Sequence, residues 1–367
     1  MDQRGCPVEG VMLTPEFWRG KRVFLTGHTG FKGSWLVCIL SRLGAEVHGF
    51  ALDPDDGPNL FDLGNVAGLL ASDMRGDIRD AAVLEQALQA ARPDIVFHLA
   101  AQSLVHASYE DPLGTLATNI MGTAHLFEGL RKIGNPAVVV NVTSDKCYEN
   151  REWVWPYREN EPMGGKDIYS VSKGCAELLT TAYRQSFLAD LDIATATARA
   201  GNVIGGGDWA DNRLIPDMVR AMADGQAPVL RAPDALRPWQ HVLEPLSGYL
   251  MLAEHLAQKP DDFAEGWNFG PGPTDTRTVA YVVETFLNLS HSDLRPVIQP
   301  HAYKEAQILK LDSAKANAHL GWTPRWSIDQ ALSRTADWYR AHVEGQDMAT
   351  FTMQQIGEYF GDSLGTS

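Results

Sequence analysis

A short apolar run, Lys21-Arg-Val-Phe-Leu-Thr26, breaks directly into Gly27-His-Thr-Gly30-Phe-Lys-Gly33 and then into Ser34 to Leu43, apolar along one side and stopped by Gly44. Strand, glycine turn and helix in that order leave few folds open. Each glycine has a separate mechanical use: the first permits the tight turn, the second lets backbone approach a diphosphate, and the third lets the helix sit close on the sheet. The N–H groups and dipole at the helix start then face an anion. Gly27, Thr29, Gly30, Phe31, Lys32 and Gly33 therefore form a candidate phosphate-binding turn.

The alternation continues. Glu46 to Leu52 reads as a second strand, a short strand-like piece precedes Asp77, and Asp94 to Ala101, Ala137 to Val142 and Asp192 to Ala198 follow, with helical segments between them. Strands alternating with helices predict an α/β chain with a doubly wound parallel sheet of the Rossmann type. Asp53 ends the second strand about 20 residues past the last loop glycine, where an acid bonds adenosine ribose hydroxyls and repels a 2′-phosphate. That favours NAD over NADP, although Lys32 argues faintly the other way. Ala100 and Ala101 supply the small side chains needed where backbone passes under a cofactor. At Arg199 the composition turns loop-like, so residues 17–200 are expected to form the nucleotide domain. Residues 201–345 are expected to form a smaller α/β substrate domain, with at least one segment returning to the first. The last clear helix runs from Ser327 to about His342.

At 367 residues, 44% hydrophobic and 21% charged, the chain has the composition of a globular enzyme. Its net charge of −15 disfavours nucleic-acid and anionic-membrane partners. Cys6, Cys38, Cys147 and Cys175 lack metal-type spacing, so no metal site and a reducing compartment are expected. Met1 to Trp18 holds no apolar leader, which points to the cytoplasm.

The chemistry concentrates between Thr143 and Lys173. The buried-type strand Ala137 to Val142 ends at Ser144, where open α/β sheets bind ligands. Tyr169 and Lys173 stand four apart at the start of a helical segment, so their side chains share a face. A tyrosine has an ordinary pKa of about 10, and a base near pH 7 needs on the order of 4 kcal/mol in favour of its charged form. A neighbouring ammonium is one source of that preference.

The glycine turn, Ser144 and Tyr169-x-x-x-Lys173, in this order, resemble the extended short-chain dehydrogenase/reductase family. In it Ser or Thr, Tyr and Lys act on a substrate hydroxyl beside a nicotinamide. Within that family, Ser144-Asp-Lys-Cys-Tyr-Glu-Asn150, the loop Thr26 to Gly33 and Arg237-Pro-Trp-Gln-His-Val-Leu-Glu-Pro-Leu246 are similar to the sugar-nucleotide 4,6-dehydratases, over roughly residues 17 to 340. The resemblance implies NAD as cofactor and a nucleoside-diphosphate hexose, CDP-glucose first, as substrate. It implies that Asp77 and Ile78 touch the adenine and that Asn119, an awkward polar residue in mid-helix, serves the architecture of the cofactor site.

In that branch an Asp-Glu pair supplies acid and base for water removal, and here Asp145-Lys146 stands in its place. Tyr169 would take the 4-hydroxyl proton, Ser144 would bond the same oxygen, and Asp145 would protonate the departing 6-hydroxyl. Lys146 is either the C5 base or a charged stabiliser of the enolate. A lysine ammonium with an ordinary pKa of about 10.4 needs burial or cationic neighbours to act as a base. Gln102 and Asn202, at strand ends, and Arg213, Leu214, Arg231, Arg237 and His241 are the candidates for the substrate. The arginines suit the diphosphate because a guanidinium binds phosphate oxygens in pairs.

The family commonly dimerises through the helices carrying Asn119 and Tyr169, so a homodimer or dimer of dimers is expected. Two rivals remain: a sugar-nucleotide 4-epimerase, which needs no acid at C6, and a silent NAD-sensing module, which has no use for Ser144, Asp145, Tyr169 and Lys173 together.

Overall fold

The computed structural model describes residues 13–135, 137–299 and 308–364; Cys6 lies outside them. Seven strands form one parallel sheet: β1 (Arg22–Thr26), β2 (Glu46–Ala51), β3 (Ser72–Arg75), β4 (Ile95–His98), β5 (Ala137–Val142), β6 (Ile193–Ala200) and β7 (Gly266–Phe269). Their order across the sheet is β7-β6-β5-β4-β1-β2-β3. The chain starts in the middle, builds outward to β3 and then crosses back to β4. The strand order therefore reverses between β1 and β4, and a crevice opens there at the carboxyl ends.

Period-two alternation decides which residues face which layer. Val23 and Leu25, Ile95 and Phe97, and Val138, Val140 and Val142 pack into the larger hydrophobic cluster, while Phe24, Val96 and Val139 enter the smaller one on the opposite face. The smaller layer is closed by α2 (Ala81–Ala91) and α3 (Gly122–Ile133), through Leu84, Leu88, Leu126, Phe127 and Leu130. The larger layer holds α1 (Phe31–Arg42) and, from the C-terminal part, Leu243, Leu246 and Leu250 of a helix over Leu243–Gln258. Catalytic candidates lie on α4 (Ile168–Tyr183); α5 (Leu214–Ala223), α6 (Leu243–Gln258) and α7 (Val279–Leu289) follow.

One boundary differs from the sequence reading. β6 continues two residues beyond Ala198, so Arg199 is a buried strand residue and not the start of a loop. The helix starting at Ser327, α8 (Ile328–Val343), has the capping box Ser327/Gln330, and a further helix, α9 (Met348–Phe360), follows it. Met348, Thr352, Ile356 and Phe360 of α9 are buried at a spacing of four, a helical stripe that the reading passed over. Trp18 is buried, its Nε1 donating to Glu254 at 2.6 Å. Among the described residues no helix is long and apolar enough to cross a membrane.

Candidate active site

The glycine turn sits where the strand order reverses. Gly27 has φ +78°, and a Cβ there would lie 2.8 Å from the backbone nitrogen of Ala100; a Cβ on Gly33 would lie 2.1 Å from the Gly27 carbonyl oxygen. Both positions exclude side chains by contact. Gly30, the N-cap of α1, differs: a Cβ there would meet only Gly27 O, at 3.5 Å. Its outer face is open, and the first-turn N–H groups of Phe31, Lys32 and Gly33 lack intrahelical partners by geometry. These residues fit a dinucleotide diphosphate. Thr26 Oγ1 accepts from the backbone of Leu99 and Ala100, each at 3.1 Å, so β1 and the Ala100-Ala101 turn form one wall.

The adenosine candidates lie at the ends of β2 and β3. Asp53 is exposed, 4.0 Å from Arg75 Nε, and Arg75 is held by Asp73 at 2.8 Å and by Leu52 O at 3.3 Å. Thr29 Oγ1 donates to the same Leu52 carbonyl at 3.0 Å. Arg79 grips the Asp77 carboxylate at 2.5 Å and holds it below the usual carboxylate range. Ile78 is buried, and a Cβ on Gly122 would come within 2.6 Å of it.

Lys32 faces the inner end of the crevice. Burial lowers its ammonium to about 8, with Arg213 and Lys173 adding to that and Asp145 and Asp208 opposing it. Its electrostatic neighbours are Arg213, Lys173, Asp145 and Asp208, and Asp53 is not among those that bear on it.

That cluster is built on the end of β5. Ser144 caps a short turn over Asp145–Cys147, accepting from Lys146 N at 3.2 Å and donating to Asp145 Oδ1 at 3.0 Å. Asp145 is buried and its Oδ2 has no hydrogen-bond partner among the described residues. Burial raises its carboxyl pKa against the opposing effects of Lys146, Ser144, Arg237 and Lys32. A carboxyl that retains its proton can act as an acid.

Tyr169, in the first turn of α4, is pushed up to about 12 by burial, partly offset by a hydrogen bond with Ser144 and by Arg213. Lys173 is lowered to about 8 by burial, with Glu177 opposing, and its Nζ donates to Val142 O at 3.4 Å. The polypeptide alone therefore keeps Tyr169 a phenol. Desolvation dominates at Tyr169, and the pull toward phenolate expected from Lys173 is not among the influences on it. Lys146 Nζ lies 5.9 Å from the centre of the Tyr169 ring.

Arg213 precedes α5, with Leu214 as the first helical residue. Its guanidinium pairs with Asp208 at 2.9 Å and donates to Ser103 Oγ at 3.0 Å. Arg237, on a short strand at Leu236–Pro238, acts electrostatically on Asp145. The half-buried Asn202 accepts at its carbonyl from Gln240 N at 3.1 Å. Arg231 is exposed and donates to Asn212 at 3.0 Å.

One candidate is corrected, and two are found tied into the surrounding wall. His241 is fully buried, edge-on to Trp35 and Trp326 at 5.8 and 4.9 Å, and burial lowers it to about 3; it is a core residue. Gln102 is engaged by Thr115 at 2.8 Å and Leu104 N at 2.5 Å, which fixes the orientation of its side chain. Asn119, in a single π-helical turn over Ala117–Met121, bonds the backbone of Gln102 at 2.9 and 3.0 Å and Ser172 at 2.8 Å. It is a strut between the wall and α4, which is an architectural place of the kind expected of it.

Three groups escaped the sequence. Asp208, in a glycine-rich stretch, is the fixed partner of Arg213. Tyr249 of α6 keeps a buried hydroxyl with no hydrogen-bond partner among the described residues, and Tyr169 and Asp145 bear on it electrostatically. Glu177 pairs with Arg199 behind β5. Only Glu177 had a signal, an acid four residues past Lys173 on the same helical face.

Similarity to known proteins agrees with this geometry. The family described as GDP-mannose 4,6 dehydratase matches residues 24–335. A CDP-glucose 4,6-dehydratase of Salmonella typhimurium is 50% identical over 357 residues, covering 95% of this chain and 98% of that protein. Among solved structures, a dTDP-glucose 4,6-dehydratase of Bacillus anthracis in complex with NAD superposes with a TM-score of 0.73 at 22% identity, covering 89% of this chain and 99% of that one. A UDP-glucose 4-epimerase of Thermotoga maritima with UDP-glucose gives 0.75 at 23%, covering 88% and 99%. Dehydratase and epimerase share the fold, so the fold does not separate them; the 50% identity to a CDP-glucose 4,6-dehydratase favours the dehydratase, and the family match runs from β1 into α8. On that match the chain belongs to the GDP-mannose 4,6 dehydratase family.

Proposed function

We propose that the chain removes water across C5 and C6 of a nucleoside-diphosphate hexose, CDP-glucose first, and releases the 4-keto-6-deoxy sugar. The observation that carries this is a buried Asp145 one residue past Ser144, its carboxyl pKa raised by burial, in a chain half identical, over nearly its whole length, to a CDP-glucose 4,6-dehydratase. Bound NAD would supply the hydride chemistry, oxidation at C4 and its reversal at C6. The glycine turn, Asp53, Asp77, Ile78 and the Ala100-Ala101 wall would hold it, within residues 17–200; residues 201–345 would carry the nucleotide sugar.

The chain's own groups divide the proton work. Tyr169 takes the 4-hydroxyl proton as phenolate, a state that the positive charge of bound NAD would favour over the phenol of the polypeptide alone, while Ser144 bonds the same oxygen, and the resulting ketone acidifies C5–H. Asp145 gives its proton to the departing 6-hydroxyl. Lys146 removes the C5 proton or stabilises the enolate by charge; a Lys146→Ala protein that exchanges the C5 proton at the normal rate assigns it the second role. Arg213 and Arg237 hold the diphosphate.

Exposed apolar residues on the two family-type dimer helices, Leu113 and Met121 on one side and Val171 and Leu178 on the other, support a homodimer or a dimer of dimers, which sedimentation tests. The thiols Cys38, Cys147 and Cys175 are unpaired, in keeping with a cytoplasmic setting.

The deciding assay offers CDP-, dTDP-, GDP- and UDP-glucose with NAD and reads absorbance in strong alkali, which a 4-keto-6-deoxy sugar produces. CDP-glucose is expected to give it. An epimerised product without alkaline absorbance would overturn the reading.

A further inference from the structure

Behind the catalytic cluster lies a buried ion pair that the proton transfers do not use. Glu177 stands four residues past Lys173 and eight past Tyr169, on the same face of α4, and is 3% exposed. Its Oε1 accepts from Thr143 Oγ1 and from Arg199 Nε at 2.9 Å; its Oε2 accepts from Thr197 Oγ1 at 2.6 Å and from Arg199 Nη2 at 2.8 Å. Arg199 Nη1 continues to Tyr148 Oη at 2.5 Å and to Glu159 O at 3.2 Å, and Tyr148 donates to Asn268 of β7 at 2.8 Å. The neighbouring backbone is shaped for the guanidinium: a Cβ on Gly266 would lie 2.3 Å from Arg199 Nη2.

The network therefore holds the residue before Ser144, the residue that closes the Asp145–Cys147 turn, and β6 two residues before Gly201. A Cβ on Gly201 would in turn lie 3.1 Å from Asp145 Oδ2. A buried ion pair is weak evidence for stability, because an apolar pair of similar volume often serves as well. Its position is what needs explaining.

We propose that Glu177–Arg199 is a positioning pair, which fixes the Thr143–Tyr148 turn against α4 and supplies the negative charge that Lys173 faces. The proposal rests on the catalytic reading of Ser144, Asp145, Tyr169 and Lys173 given above. Lys173 is surrounded by Glu177 on its own helix, Cys147 on the turn after β5, His98 on β4 and Lys32 on the glycine turn. Burial keeps the Cys147 thiol and the His98 imidazole uncharged. Glu177 is the anion of this set: burial would raise it, but Arg199 and the hydroxyls of Thr143 and Thr197 hold it below the usual range. The sign follows. Removing its charge lets burial lower Lys173 further, so the ammonium is lost at a lower pH.

The test compares Glu177→Gln with the double variant Glu177→Met/Arg199→Met. Competitive acetylation of Lys173 by acetic anhydride, read by peptide mass spectrometry against pH, gives its midpoint without any turnover. Both variants are expected to shift that midpoint down by about one pH unit. The alkaline limb of kcat/KM for CDP-glucose should move with it, and kcat should fall roughly tenfold to hundredfold with KM little changed. The double variant should retain a near-native Tm. A double variant with native Tm, native Lys173 midpoint and native kcat would reduce the pair to packing. If Glu177→Gln fails to fold, the double variant decides alone. A wild-type protein that forms no 4-keto-6-deoxy sugar would sink the catalytic reading, while the Lys173 midpoint would still decide whether the pair sets its charge.

Discussion

Arg213 Nη2 lies 3.0 Å from Ser103 Oγ, joining the loop after β4 to the start of α5 across 110 positions of sequence. Asp208 fixes the same guanidinium, so the cation is already oriented for the diphosphate it is proposed to hold. Arg213→Ala is expected to raise KM for CDP-glucose about tenfold to hundredfold, the loss of one charged hydrogen bond at about 1.5–3 kcal/mol. It should also lower Tm, because Asp208 is left buried without its partner. Arg213→Lys should recover only part of the affinity, since an ammonium lacks the fork. Steady-state kinetics and thermal melts check both.

The glycine turn makes a paired prediction. Gly33→Ala puts a carbon 2.1 Å from Gly27 O and should cost about 1–3 kcal/mol in chemical denaturation. Gly30→Ala meets nothing nearer than 3.5 Å, so it should fold with a native Tm and still bind NAD poorly by calorimetry. Equal Tm losses in the two variants would contradict the division between a packing glycine and a ligand-facing one.

Asp145 predicts opposite effects on activity and stability. Asp145→Asn should lower dehydration about 10²- to 10⁴-fold, as expected for loss of a general acid. Its folded-state pKa is raised by burial, so the stability linked to its proton is present at low pH and is lost as pH rises through that pKa. The asparagine variant has no such dependence. Its Tm should exceed that of the wild type at pH 8, and the gap should close toward the ordinary carboxylate range near pH 4. A gap independent of pH would show that Asp145 titrates normally.

His241 should be dispensable for chemistry. Its folded-state pKa of about 3 lies below the ordinary value of about 6.5, so the unfolded chain binds the extra proton and stability falls as pH drops below that value. His241→Phe should keep kcat within about twofold, as expected for a residue outside the site. It should also flatten the loss of Tm between pH 6.5 and 4, to which His98, also lowered to about 3 by burial, still contributes. A large kcat defect with native Tm would return His241 to the site.

What the sequence determined was local. The alternation of Val138, Val139 and Val140 sets which face of β5 meets which layer, and the spacing of Gly27, Gly30 and Gly33 sets the turn. The four-residue step from Tyr169 to Lys173 places both on one side of α4. Each of these rests on sterics or periodicity among near neighbours, which a short stretch of chain contains in full.

The tertiary structure decided what each polar group is bonded to. Gln102 and Asn119 bond each other and their surroundings across the wall, 17 positions apart. Lys32 turns to the inner crevice, His241 is enclosed by Trp35 and Trp326, and Arg199 lies in β6 beside β5 rather than in a loop. Desolvation and hydrogen bonding depend on atoms brought together from distant segments, Tyr148 to Asn268 across 120 positions among them. No periodicity within a single element records them.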